Sequence, residues 1–258
     1  MSGYVKLEID GAVATVTIAN EKKRNALSTE MWPRLEQGIR EASQHGSVRI
    51  TVLRGAGRSA FCAGGDFDDL ETLTSDAEAR GRFVRSVEAV FASVLQSRVP
   101  IVAMLHGSAA GGGMALACAC DLRLADTELR MGIPAARLGI IPDTTEVDAV
   151  MSLVGPARAA ELFYTGRLLD AEEALAWGLV DRVLDPNDLE ESVYAFAADI
   201  ARAAPGALSA TRRLLVNGRF ARGTAGTADT ADALGGVEFS EALAAIRERR
   251  QPVFPDLE

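Results

Sequence analysis

Twice in this chain an apolar strand runs straight into a glycine-rich loop that opens a helix, and that junction restricts what the rest can be. Residues 101–105 (IVAML) are an unbroken apolar run between Pro100 and Gly107, the pattern of a strand covered on both faces. GSAAGGG follows at 107–113, and then an alanine-rich segment that reads as a short helix starting near Met114. Earlier, residues 49–54 (RITVLR) read as a strand that enters GAGRSAFCAGGD, ending at Asp66. Glycine at such a junction leaves backbone N–H groups unpaired at the positive end of a helix dipole. They can bind a phosphate or hold a developing oxyanion. Two familiar phosphate loops are excluded. No Gly-Lys-Ser/Thr follows the triplet 111–113, so it is not a P-loop. Gly55-x-Gly57-x-x-Ala60 mimics a dinucleotide fingerprint, but residues 62–66 (CAGGD) interrupt the long helix which that fingerprint must open.

The remaining pattern fits an α/β chain. Val5, Leu7 and Ile9 alternate with polar residues, Asp10-Gly11 supplies a turn, and Ala14, Val16 and Ile18 alternate again, which predicts a hairpin. After a basic loop (Lys22, Lys23, Arg24), Ser28 or Thr29 is the expected cap of a helix that buries Leu35, Ile39 and Ala42, with Pro33 awkward near its start. Val84, Val87, Phe91, Val94 and Leu95 recur at helical spacing. A brief strand is expected at 122–125 and another at 179–184. Pro156 opens one helix, residues 170–173 (DAEE) form a capping box for the next, and Pro205 suits a first helical position. Beyond about Leu189 the chain reads as helical throughout. The expected organisation is a core over residues 1–200 and a helical region over 201–258.

Composition narrows the partners. With 258 residues and 48% hydrophobic content the chain can bury a sizeable core without disulfides or metal. A formal net charge of −9 argues against nucleic acid as a partner, because phosphate backbones need clustered Lys and Arg. Cys62, Cys118 and Cys120 lack zinc spacing, and only His45 and His106 could help, so no metal is expected and the thiols read as free and buried. The first residues have no apolar signal region and no later run reaches membrane-spanning length. The expected setting is cytoplasmic, with no membrane.

The two loops together are more specific than either alone. FCAGGDF (61–67) and HGSAAGGGMALACACD (106–121) resemble the crotonase, or enoyl-CoA hydratase/isomerase, superfamily, whose loops take the forms Ala-Gly-x-Asp and Asn-Gly-x-x-x-Gly-Gly-Gly. RNAL (24–27), RLGIIPD (137–143), FYTGRLLDAEEALAWGLVDRV (163–183) and RERRQPVF (247–254) occur in the same order as in that family, across nearly the whole chain. The resemblance implies a right-handed spiral of strand-strand-helix turns with a helical C-terminal appendage, and a homotrimer or dimer of trimers. It implies an acyl-CoA substrate, whose coenzyme A is part of the thioester rather than a separate cofactor. It puts the oxyanion-hole N–H groups on Gly65 and Gly112, with Arg24, Ala26 and Ala63 along the bound thioester. Asp66 is expected to cap the following helix and so orient Gly65. Asp68 and Asp69 stand where many members carry a Lys, and His106 replaces the usual Asn; a structural role suits His106 better than a catalytic one.

The acids depart furthest from the family pattern. Similar hydratases use two glutamates, at positions that here are Ala115 and Ala135. Alanine cannot titrate, so that two-glutamate hydration cannot run from these positions. Asp143 is the next acid, at a position where isomerases of the superfamily carry theirs. It also fits a capping box with Glu146. The resemblance favours Asp143 as the catalyst, with Glu146 in reserve. Shifting a double bond needs one carboxylate that removes a proton from C2 and returns it to C4. The leading expectation is therefore an isomerase of 3-enoyl-CoA to 2-enoyl-CoA. The rivals are a hydratase or another thioester lyase using Asp143 and Glu146, and an acyl-CoA binder without chemistry.

Overall fold

The computed structural model describes residues 3–72, 76–220, 241, 244, 245 and 248–254. The expected hairpin forms from β1 (Tyr4–Asp10) and β2 (Val13–Ala19), paired antiparallel from Tyr4↔Ala19 to Asp10↔Val13. Alternation is the reason: Ala14, Val16 and Ile18 are fully buried while their neighbours are not. β3 (Ile50–Gly55), β4 (Ile101–Leu105), β6 (Leu122–Asp126) and β9 (Arg182–Leu184) add in parallel, giving one six-stranded sheet in the order β1-β2-β3-β4-β6-β9. A second, three-stranded sheet stands apart: β5 (Ser108–Ala110), β7 (Arg130–Gly132) and β8 (Leu169–Asp170). The sequence reading did not contain these three short strands.

The continuous apolar run of β4 has its expected cause. Ile101, Ala103 and Leu105 join the main core, shared with α1 (Met31–Gln44) and α3 (Ala77–Leu95). Val102 and Met104 point the other way, into a smaller core with Leu189, Val193 and Ala197 of α7 (Leu189–Ile200). Helices therefore cover both faces of the central strands.

Four local expectations change. The first helix starts at Met31 and carries Pro33 in its first turn, where a missing N–H costs nothing. Neither Ser28 nor Thr29 caps it; instead the Thr29 N–H donates to Asp69 Oδ2 (2.6 Å), a residue in the first turn of α2 (Phe67–Thr72). In α3 the buried stripe includes Phe83 in place of the exposed Val84. Residues 179–181 turn after α6 (Ala171–Trp177), and only 182–184 form a strand. The chain also leaves helical geometry around 201–204 before α8 (Pro205–Phe220). Other expectations hold: Asp170 and Glu173 make a reciprocal capping box, Pro205 opens α8, and Gly155 (φ 76°) breaks α5 (Thr144–Thr165) so that Pro156 begins its second half.

Three arginines dock the C-terminal helix and β6 to the core. Arg212 is buried; it pairs with Asp121 (2.8 Å) and donates to the carbonyls of Val94, Leu95 and Ser97 at the end of α3. Arg219 donates to the carbonyls of Cys118 and Cys120, and Arg123 to that of Cys120. Cations at helix C-termini meet unpaired carbonyls and the negative dipole end. No helix among the described residues is long and apolar enough to cross a membrane. Of the helical region expected over 201–258, residues 221–240, 242, 243, 246, 247 and 255–258 lie outside the described residues.

Candidate active site

The two glycine loops meet. Ala110 N–H donates to Cys62 O (2.9 Å) and Cys62 N–H to Ser108 O (3.2 Å), so the second loop is zipped onto the first. Contact is close enough to require glycine. A Cβ on Gly113 would collide with the Cys62 carbonyl, and one on Gly64, whose φ is +92°, would sit 2.9 Å from Ala110 O and 3.3 Å from the Gly112 nitrogen. α4 (Gly112–Ala119) begins at this contact, and α2 (Phe67–Thr72) begins two residues after Gly65. Among the described residues the N–H groups of Gly65 and Gly112 have no hydrogen-bond acceptor in the protein. Both glycines remain partly accessible.

The first loop is held from behind by the basic loop. Leu27 N–H donates to Gly64 O (2.8 Å), and Asp66 N–H to Leu27 O (2.9 Å), bracketing Gly65. Ala63 N–H donates to Arg24 O (3.1 Å). Arg24 and Asn25 both adopt positive φ (52° and 56°). Asn25 accounts for the turn: its buried amide donates to the carbonyls of Ala56 and Ala60, and its Oδ1 accepts from Asn20 N–H. Arg24 is exposed at this turn while Ala26 is buried beneath it. Asp66 accepts from Asp68 N–H (3.1 Å), the expected cap. Lys23 reaches across to Asp66 (2.6 Å) and Asp68 (2.7 Å), and these carboxylates raise its pKa by accepting its hydrogen bonds. The sequence reading did not foresee this latch, in which a lysine comes from the basic loop to meet the acidic turn.

The acids sit at the start of α5. Asp143 is its N-cap, with Oδ1 accepting from Thr145 N–H (2.8 Å), while Glu146 Oε2 accepts from Asp143 N–H (2.9 Å). The capping box is therefore complete, and both carboxylates belong to it. A Cβ placed on Gly112 would be 3.5 Å from Glu146 Oε1 and 3.4 Å from Trp32 Cη2. One carboxylate oxygen and one indole edge thus both approach the α-carbon of Gly112, the residue that carries the candidate oxyanion donor. Burial pushes the Glu146 pKa up, the Asp143 backbone bond pulls it down, and the Asp143 charge pushes it up again, with a net rise. Leu70 flanks Gly65 at 3.4 Å from its would-be Cβ. Ala115 and Ala135 are buried, so the two vacated glutamate positions hold only methyl groups.

His106 is buried, with Nε2 3.2 Å from Gly55 O and its pKa lowered to about 4 by burial, so it is neutral at physiological pH. It buttresses the strand ends rather than the two N–H groups. The three cysteines are buried thiols whose pKa values burial pushes to about 12, 11 and 12, out of range for nucleophilic work. Among the described residues no cluster of His, Cys, Asp and Glu has the arrangement of a metal site.

Comparison with known proteins agrees with this architecture. Residues 8–256 match the family model described as enoyl-CoA hydratase/isomerase. A short-chain-enoyl-CoA hydratase of Clostridium acetobutylicum is 33% identical over 214 residues, 83% of this chain and 81% of that protein. An (E)-benzylidenesuccinyl-CoA hydratase of Thauera aromatica is 31% identical over 215 residues, covering 83% of each. Among solved structures, an enoyl-CoA hydratase/carnithine racemase of Magnetospirillum magneticum superposes with a TM-score of 0.90 at 32% identity, covering 97% of this chain and 94% of the other. The chain has the crotonase fold and belongs to the enoyl-CoA hydratase/isomerase family.

Proposed function

We propose that the protein moves the double bond of a 3-enoyl-CoA into conjugation with its thioester, using one carboxylate and the N–H groups of Gly65 and Gly112. The observation that carries this reading is the carboxylate oxygen beside Gly112, Glu146 Oε1, with alanine at both hydratase glutamate positions. The thioester oxygen accepts from the two N–H groups, with Arg24, Ala26 and Ala63 along the coenzyme A portion. Ionised Glu146 removes a proton from C2. As it does so it becomes neutral and the negative charge passes to the thioester oxygen, so two anions never face each other. Each buried donor aimed at that oxygen contributes roughly 2.7–4 kcal/mol to the barrier reduction. The neutral Glu146 then returns the proton at C4. A raised pKa suits this exchange, because the same group must take and give a proton near neutral pH.

Geometry favours Glu146 over Asp143 as the base. The Asp143 carboxylate is engaged with Thr145 N–H, and its backbone N–H holds Glu146 in place. Asp143 acts here as a positioning residue.

The names of the relatives favour a second reading, hydration of a 2-enoyl-CoA. That reaction needs one group to activate water and another to deliver a proton, and Asp143 with Glu146 would have to supply both. One assay separates the readings. Incubation with a 3-enoyl-CoA should produce the absorbance of a conjugated thioester, while incubation with a 2-enoyl-CoA should leave that absorbance almost unchanged. Rapid loss of the conjugated absorbance from a 2-enoyl-CoA, without isomerisation of the 3-enoyl-CoA, would establish the hydratase reading instead.

A further inference from the structure

Trp32 lies in the first turn of α1, 1% exposed. It is among the largest fully buried side chains. The Cη2 and Cζ2 edge of its indole lies 3.4 and 3.9 Å from the would-be Cβ of Gly112, the same point that Glu146 Oε1 approaches to 3.5 Å. Phe83 of α3 meets the indole edge-on, with ring centroids 6.2 Å apart at 89°. Its Nε1–H has no partner among the described residues. A buried unpaired N–H costs about 1–3 kcal/mol. The indole is thus held there by shape and packing and not by a hydrogen bond.

We propose that Trp32 is a positioning residue whose indole edge fixes the Glu146 carboxylate beside the Gly112 N–H and keeps bulk water off it, so that a proton taken from substrate is handed back instead of being lost to solvent. The inference rests on the reading of Glu146 as the base. Trp32 of α1 and Gly112 of α4, which meet at the point that Glu146 Oε1 also approaches, carry no charge, and the charge acting on Glu146 is Asp143 on its own helix. With the indole in place, the neutral acid formed after proton abstraction faces the dienolate and an apolar wall, so C4 is the acceptor within reach. With the indole removed, water enters beside the carboxylate. Water can then exchange the proton, and can also add to the conjugated product.

The test uses the full chain with Trp32→Leu and Trp32→Phe, each checked for folding by thermal melt. Phe keeps an aromatic wall and removes the unpaired N–H, so it serves as the conservative variant. Glu146 is titrated directly by carboxyl carbon-13 NMR in each protein. In Trp32→Leu the midpoint should fall toward the ordinary glutamate value, and in Trp32→Phe it should stay near wild type. With 3-enoyl-CoA in deuterated water, Trp32→Leu should incorporate several-fold more solvent deuterium at C4 than wild type, with KM changed little. An unmoved Glu146 midpoint in a folded Trp32→Leu protein would overturn the proposal. A moved midpoint in Trp32→Leu, together with a wild-type protein that does not isomerise 3-enoyl-CoA, would leave the positioning role standing and overturn the catalytic reading beneath it.

Discussion

Glu146 holds two incompatible tasks in one side chain. As the third residue of α5 it completes a capping box, and as a half-buried carboxylate it carries a desolvation penalty when ionised. A carboxyl whose pKa is raised on folding contributes stability below its unfolded pKa and loses that contribution as pH rises through the folded value. Glu146→Gln keeps an oxygen to accept from Asp143 N–H and removes the charge. Its melting temperature should therefore equal or exceed that of wild type at pH 7, and the difference should vanish below about pH 4, where Glu is neutral in both states. A lower melting temperature for the variant at pH 7 would show that the carboxylate is a net stabiliser. At the loop contact, Gly113→Ala drives a methyl into the Cys62 carbonyl and should cost about 1–3 kcal/mol, read as a lower denaturant midpoint. An unchanged midpoint would mean that the loops part without cost.

At the scale of elements, Lys23, Asp66 and Asp68 latch the basic loop to the start of α2, and Arg212 with Asp121 bolts α8 to the core. Breaking the second pair leaves the partly buried Asp121 carboxylate without its cation, so Arg212→Met should destabilise by about 3–5 kcal/mol while the double change with Asp121→Leu recovers part of the loss. Additive losses in chemical denaturation would contradict that coupling. These elements also mark what the sequence could and could not reveal. The strands at 101–105 and 122–126, the hairpin and the capping box at Asp170 were legible because period and cap residues are local signals. β5, β7 and β8 were not, since strands of two or three residues carry no period and exist only through their partners. Phe83 displaced Val84 from the core because α3 packs against Trp32, a tertiary contact. The Lys23 latch and the approach of Glu146 to Gly112 join positions far apart in sequence, and no spacing rule connects them.

The whole molecule exposes Leu138, Ile140, Ile141, Tyr164 and Leu168 on its surface, with Ile141 92% exposed. The Arg137 guanidinium donates to the Thr165 carbonyl (2.7 Å) and so ties these two segments together, and we propose that copies of this chain cover them in a trimer or a dimer of trimers. Light scattering at micromolar concentration should then give a mass at least three times that of the chain, and a stable monomer would contradict the expectation. The central claim remains that one carboxylate, Glu146, works against the N–H groups of Gly65 and Gly112. Its most direct measurement compares Asp143→Asn with Glu146→Gln for conversion of a 3-enoyl-CoA to the conjugated thioester. Asn caps a helix about as well as Asp, with a difference near ~0 kcal/mol, so Asp143→Asn should keep kcat within about tenfold of wild type. Glu146→Gln should lose at least about a hundredfold in kcat, the usual scale for a missing general base. A folded Glu146→Gln protein with wild-type turnover, or collapse of activity in Asp143→Asn alone, would contradict the account.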